Sequence, residues 1–303
     1  MLWLVLSSIP PLLFTISTVI DEYLVKNHFA DKPLLFLIVA CVLELVPALL
    51  ALGFYEPASE IPFIHMLMFM GFGVLITFSM VPYLIAVQKD GAGVVVPFFQ
   101  FTPVFVFLLG WLFLKEVVSS VQLFSCGLIT AAAFVMSWDF HVKKVALRSG
   151  LLMMATCLMI AIFVVCLRYQ MEEYGWFIPT IWVWLGNGVF GSTCLLLYKP
   201  CRDDFIAVFK NSSLRVSCMF VGQSFLDNGG GLIYIIALSI APAAGLVQTM
   251  NGLQPLYILG LTVLLGIGVP QYFHKVAIDR MFLWRIMWAV VLFAGVGLLI
   301  LDL

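Results

Sequence analysis

Apolar runs of about 18 to 25 residues recur along the whole chain, each long enough to cross a hydrocarbon core of roughly 30 Å as a helix. Ten are read: 2–20, 34–53, 63–87, 92–114 and 118–137 in the first half, then 150–169, 177–198, 214–239, 243–266 and 284–301. Lipid offers the backbone no other hydrogen-bonding partner, so each run is expected to be helical. None shows the roughly ten-residue alternation of a membrane β-barrel. The predicted fold is an all-α integral membrane protein with ten transmembrane helices.

Corresponding positions in the two halves carry similar residues. Tyr83-Leu84-Ile85-Ala86-Val87 closes helix three and Tyr234-Ile235-Ile236-Ala237-Leu238 closes helix eight; Ala92-Gly93 and Ala244-Gly245 open helices four and nine. Pro103 and Pro255 each lie ten residues beyond their glycine, and Asp21-Glu22-Tyr23 faces Glu172-Glu173-Tyr174 at an offset of 151. One register of about 151 to 152 residues holds throughout, as expected of a duplicated five-helix unit. Five is odd, so the second unit must enter the membrane from the opposite side. The expectation is a 5+5 inverted-topology repeat.

Composition agrees with a membrane protein: 63% of the 303 residues are hydrophobic and 10% charged, against roughly 25% charged in a soluble domain. The first run has neither a basic n-region nor a small-residue cleavage site and is read as a retained helix. A net charge of −1 gives no electrostatic footprint for nucleic acid. Seven cysteines form no C-x-x-C pair and fall mostly within apolar runs, where they act as small hydrophobes. No disulfide framework, metal site or cofactor is expected.

The stretch from Tyr83 through Gly91-Ala92-Gly93, Pro97, Pro103 and Lys115-Glu116 resembles the EamA-type repeat of the drug/metabolite transporter superfamily. The second copy, from Tyr234 through Pro242, Gly245 and Pro255, is similar, with Gly268 where the terminal acid would stand. The resemblance implies two EamA-like repeats, 1–141 and 142–303, forming a ten-helix carrier. Its central cavity would be lined largely by helices one, three, four, six, eight and nine.

All but Lys115 and Arg168 of the fifteen Lys and Arg fall in, or beside, the loops after helices one, three, five, seven and nine. The positive-inside rule puts those loops in the cytoplasm and both termini outside. The resemblance implies cytoplasmic termini instead. A bacterial inner membrane is the default setting.

A charge at bilayer depth needs a partner or a function. Asp227 in helix eight shares a face with Gln223 and Tyr234 at about 100° per residue, and Glu44 lies mid-way along helix two beside Pro47. Either acid could instead tie helices together. Helix nine carries Gln248, Asn251, Gln254 and Pro255, and helix four carries Pro97, Gln100 and Pro103. Paired proline-broken helices point to a midplane site, with Gly93 and Gly245 as further hinges and Tyr83 and Tyr234 as wall residues. Trp182, Trp184 and Asn187 lie deep in helix seven, where an indole face attracts desolvated cations or simply packs. Trp3, Trp138, Trp176, Trp284 and Trp288 are read as interface anchors. Asp21-Glu22, Lys115-Glu116 and Glu172-Glu173, at helix ends, are read as solvated charge.

No Lys, Arg or His lies at the centre of a predicted helix, so phosphorylated substrates would lack their cation. There is no P-loop, G-x-S-x-G or H-E-x-x-H motif, and no enzyme activity is expected. The expected function is secondary transport of a small neutral, zwitterionic or cationic metabolite of amino-acid or amine type, with a proton as coupling ion. The chain would act as a monomer or homodimer among membrane lipids. A lipid scramblase or membrane enzyme using the same groove, or a non-transporting assembly subunit, are the alternatives.

Overall fold

The computed structural model describes residues 1–29, 32–54, 61–91, 95–138, 147–210, 212–268 and 280–302. Every regular element among them is helical. Eight helices are long and apolar enough to cross a membrane, corresponding to predicted helices one to seven and ten. Predicted helices eight and nine form as helices but fall outside that set: one carries the polar stripe, and the other is broken.

The first half comprises α1 (Leu2–His28), α2 (Pro33–Leu43), α3 (Leu45–Leu52), α4 (Phe63–Asp90), a 3₁₀ segment (Val96–Phe101), α5 (Thr102–Leu109), a π turn (Gly110–Leu114) and α6 (Ser120–Ser137). The break between α2 and α3 follows from Pro47. It has no N–H for the carbonyl of Leu43, and the chain turns at Glu44 instead. The 3₁₀ segment and α5 each begin with a proline in the first turn, Pro97 and Pro103. Ser119 caps α6 through a reciprocal capping box with Gln122.

The second half comprises α7 (Leu147–Tyr174), α8 (Phe177–Leu197), α9 (Lys199–Lys210), α10 (Leu214–Ile240), α11 (Ala244–Met250), a 3₁₀ turn (Asn251–Leu253), α12 (Gln254–Gly268) and α13 (Arg280–Leu301). The short helix α9 was not predicted. Its exposed face carries Arg202, Asp203 and Lys210, while Cys201, Phe205 and Val208 pack against Leu24, Phe29 and Phe220.

The most extensive packing runs between α1 and α10, between α6 and α13, and between α4 and both α7 and α8. Glycines permit the closest of these approaches. A Cβ on Gly73 of α4 would lie 2.3 Å from the carbonyl oxygen of Val183, and one on Gly186 of α8 would lie 2.2 Å from that of Met70. Where α1 meets α10, the ring of Phe14 sits over Gly230.

Charged residues mark the two ends of the bundle. At one end Lys32 pairs with Asp204 at 2.6 Å, tying the α1–α2 connection to α9. At the other, Arg168 of α7 donates to the carbonyls of Leu238, at 2.5 Å, and Ala241, at 2.8 Å. Glu116 accepts from the N–H of Ala244 at 3.0 Å and lies 3.7 Å from Arg168 Nε. Together they bridge the turn between α10 and α11. Trp3 is a correction: it is 5% exposed and belongs to the largest apolar cluster, where it packs rather than anchoring at an interface.

Candidate functional site

Between the helices of the two halves lies a cavity of about 580 Å³. Its polar wall is built from two sides.

On the first side, α1 and α10 present Ser17, Asp21, Gln223 and Asp227. Residues 223 and 227 are one turn apart on α10 and so share a face. The Gln223 amide donates to Asp227 and to Ser17 Oγ, the latter at 3.3 Å. Its carbonyl oxygen accepts from Ser224 at 3.2 Å. Gln223 is 2% exposed, so these bonds fix its amide against both neighbours.

On the second side, the α2–α3 break presents Glu44. Thr77 of α4 donates to Asn187 Oδ1 at 2.7 Å, and Asn187 Nδ2 donates to Glu44 Oε2 at 2.8 Å. Thr77 thereby sets the direction of the amide, and the amide holds the carboxylate. Cys41 Sγ, 3.3 Å from Thr77 Oγ1, extends the buried chain.

Further polar lining comes from Thr18 on α1, Ser224 and Asn228 on α10, Gln100 and Thr102 on the broken fourth helix, and Gln248, Asn251 and Gln254 on the broken ninth. Tyr234 donates to Gln248 Oε1 at 2.6 Å, and Gln254 Nε2 reaches Thr18 at 3.5 Å. Phe14, Phe99, Phe163 and Trp184 supply aromatic wall. None of the described lining residues is Lys, Arg or His.

Of the residues singled out from the sequence, Asp227, Gln223, Gln100, Asn251, Gln254, Gln248, Tyr234, Glu44, Trp184, Asn187 and Pro103 all line this cavity. Tyr83 does not: its ring packs on Phe99 at 5.1 Å, behind the wall. Pro97 and Pro255 are buried in the helix breaks but do not face the cavity. Gly245 lies where α11 meets α5, with Phe107 against the position of a Cβ at 2.3 Å. Gly93 lies outside the described residues. Trp182 is half-buried and away from the cavity.

Asp21 is the residue the sequence reading misplaced. Taken as solvated charge at a helix end, it stands inside α1, which continues to His28, and lines the cavity. The signal was available: Ser17 and Asp21 are four apart, so they belong to one helical face once the helix is extended. Glu116 is a second correction. It is largely buried beside Arg168, and burial raises its carboxyl above the ordinary value, only partly countered by the Ala244 N–H and by Arg168. Lys115, Glu172 and Glu173 are exposed as expected.

Eight membrane-length apolar helices packed around a cavity with a polar wall define the class as a multi-pass membrane protein. Residues 1–138 match the model of the EamA-like transporter family, in agreement with the drug/metabolite transporter superfamily. No curated protein matches the chain. Among solved structures, a crystal structure of a protein at 12% identity covers 98% of this chain and 95% of its own, with a TM-score of 0.63. That likeness shows a shared fold across both halves.

Proposed function

We propose that the chain is a secondary transporter with ten transmembrane helices in a 5+5 inverted repeat, working by alternating access on a small cationic or zwitterionic metabolite. The observation that carries the reading is the cavity between the halves, with Asp21, Glu44 and Asp227 in its wall and no lining Lys, Arg or His among the described residues. Carboxylates at such a depth are costly unless paired, and are the usual marks of a substrate or proton path.

Packing supports the repeat. Exchanging the halves maps the α1–α10 interface onto the α7–α4 interface, two of the most extensive in the molecule. It also maps the 3₁₀ break at Val96–Phe101 onto that at Asn251–Leu253. Packing also supports one closed end. Around Arg168, residues Leu167, Met171, Leu238, Ala241 and Leu246 belong to one apolar cluster that joins both halves. At the Lys32 end there are two separate clusters, one around Leu24, Phe29 and Phe220 and the other around Ala86, Val95 and Met153.

In this reading Asp227 exchanges a proton for the substrate, with Gln223, Gln100, Asn251 and Gln254 orienting it. The test is uptake into proteoliposomes under an imposed proton gradient. Asp227→Asn should lose gradient-driven accumulation while retaining exchange of labelled for unlabelled substrate; unchanged accumulation would end the assignment.

One observation favours a second, lipid-handling reading. A groove of about 620 Å³, lined by Val104, Leu123, Thr130 and Phe134 among others, lies between α5 and α6 and shares Gln100 and Pro103 with the central cavity. Fluorescent-lipid flipping in the same vesicles, without any gradient, would support that reading over the carrier.

A further inference from the structure

We infer that the central cavity is built for an organic cation with two separated ammonium groups, of the linear diamine class, held by Asp21 and Asp227 at one side and by Glu44 at the other. This rests on the transporter reading and narrows its substrate.

Charge comes first. Three carboxylates line one cavity, and Asp227 lies within electrostatic reach of both Asp21 and Glu44. Such a group is tolerated at membrane depth when a proton or a cation accompanies it, and no described lining residue supplies a cation. One ammonium brings a single positive charge to three lining carboxylates; two bring charge to both walls.

Hydrogen bonding points the same way, independently of charge. The buried polar atoms left without a partner beside the cavity include Asp21 Oδ1 and Asn251 Oδ1, both acceptors. Buried polar groups in a native protein are normally paired. What is short here is donors, and an ammonium group carries three donors and no acceptor. An amino acid would bring a carboxylate of its own into a wall of acids, which disfavours zwitterions.

The two sides are held separately. Asp21 and Asp227 stand on α1 and α10 about the buried amide of Gln223, whereas Glu44 stands at the α2–α3 break, fixed by Thr77 through Asn187. Neither set of hydrogen bonds uses a residue of the other. The apolar wall of Phe14, Phe163 and Trp184 suits a methylene chain, and an indole face adds attraction for a desolvated cation.

The experiment is calorimetric and thermal-shift titration of the full-length, detergent-purified protein with diaminoalkanes of three to six carbons and with the alkylamine of each length. At one spacing the diamine should bind about tenfold or more tighter than its matched monoamine, the range of effect that a close charge pair contributes. Glu44→Gln should bring that ratio close to one, and Glu44→Asp should restore part of it. A ratio near one at every length in the unmodified protein, or a ratio that Glu44→Gln leaves unchanged, overturns the inference while leaving a cation site in place. If no amine binds but a neutral or zwitterionic compound is taken up by vesicles, the diamine inference falls and the carrier stands. If nothing is transported, the carrier reading itself falls. Should Glu44→Gln fail to fold, the length preference of the unmodified protein decides alone.

Discussion

Asn187 joins three helices through two hydrogen bonds, one from Thr77 and one to Glu44, and is 4% exposed. Asn187→Leu removes both, stranding the buried Thr77 at about 1–3 kcal/mol and releasing the part-buried Glu44. A large fall in melting temperature is expected, whereas Thr77→Val should cost less. The double variant should be far from additive, because both act on one chain of bonds. Glu116 allows a prediction about pH. Its carboxyl is raised above the ordinary 4.5 by burial, so the folded state holds the proton more tightly than the unfolded chain. Its contribution is therefore full below that ordinary value and is lost as pH rises through its folded value. Glu116→Gln mimics the protonated form and should keep its melting temperature over the window in which that of the unmodified protein declines. Parallel curves for the two proteins would refute this. Neither pairing was legible from the sequence. Thr77 and Asn187 are 110 positions apart, and nothing in the pattern of either helix says which polar residue of another helix it will meet.

Among helices, the crossing of α4 and α8 depends on having no side chain at Gly73 and Gly186, where a Cβ would meet a carbonyl oxygen of the facing helix at 2.3 and 2.2 Å. Gly186→Val is expected to force the helices apart, at about 1–3 kcal/mol or more, read as a lower melting temperature and loss of a single peak in size-exclusion chromatography. Gly71, on the same α4, has nothing within 4 Å of a Cβ. Gly71→Ala should therefore be close to neutral. Helix existence was largely visible beforehand, because unbroken apolar runs in a membrane have only one backbone solution. Breaks were visible in helices four and nine, at Pro97, Pro103 and Pro255; the one before Pro47 was not, since 34–53 reads as a single apolar run. The end of α1 was not: Asp21-Glu22 looked like a polar boundary, and only packing against α10 carries the helix through it. Amphipathic α9 was missed because its apolar positions are few and gain their meaning from the Leu24–Phe29–Phe220 cluster that they cover.

At the scale of the whole molecule, the charges sort the ends. Lys32 with Asp204 marks one, and Arg168 with Glu116 marks the other; Ser119 donates to Asp302, so the carboxyl terminus shares the second. By the positive-inside count the second end faces outward. A membrane-impermeant thiol reagent applied to intact cells, in a background without native cysteines, should label Val117→Cys and leave Lys210→Cys unlabelled. The reverse pattern would place the termini in the cytoplasm, as the family resemblance implies. Sequence by itself determined the solvent of this protein, the helical character of its spans and most of the polar residues that meet in its cavity. Each of these follows from local rules: apolar length, the unmet backbone in lipid, and the cost of burying charge. Tertiary structure alone decided that Asp21 joins Asp227 and Glu44, that Tyr83 stands behind the wall, and that Arg168 and Glu116 clasp the α10–α11 turn. These depend on how helices from distant parts of the chain rotate and approach one another, and that is set by glycines and side-chain volumes summed over whole interfaces rather than by any one segment.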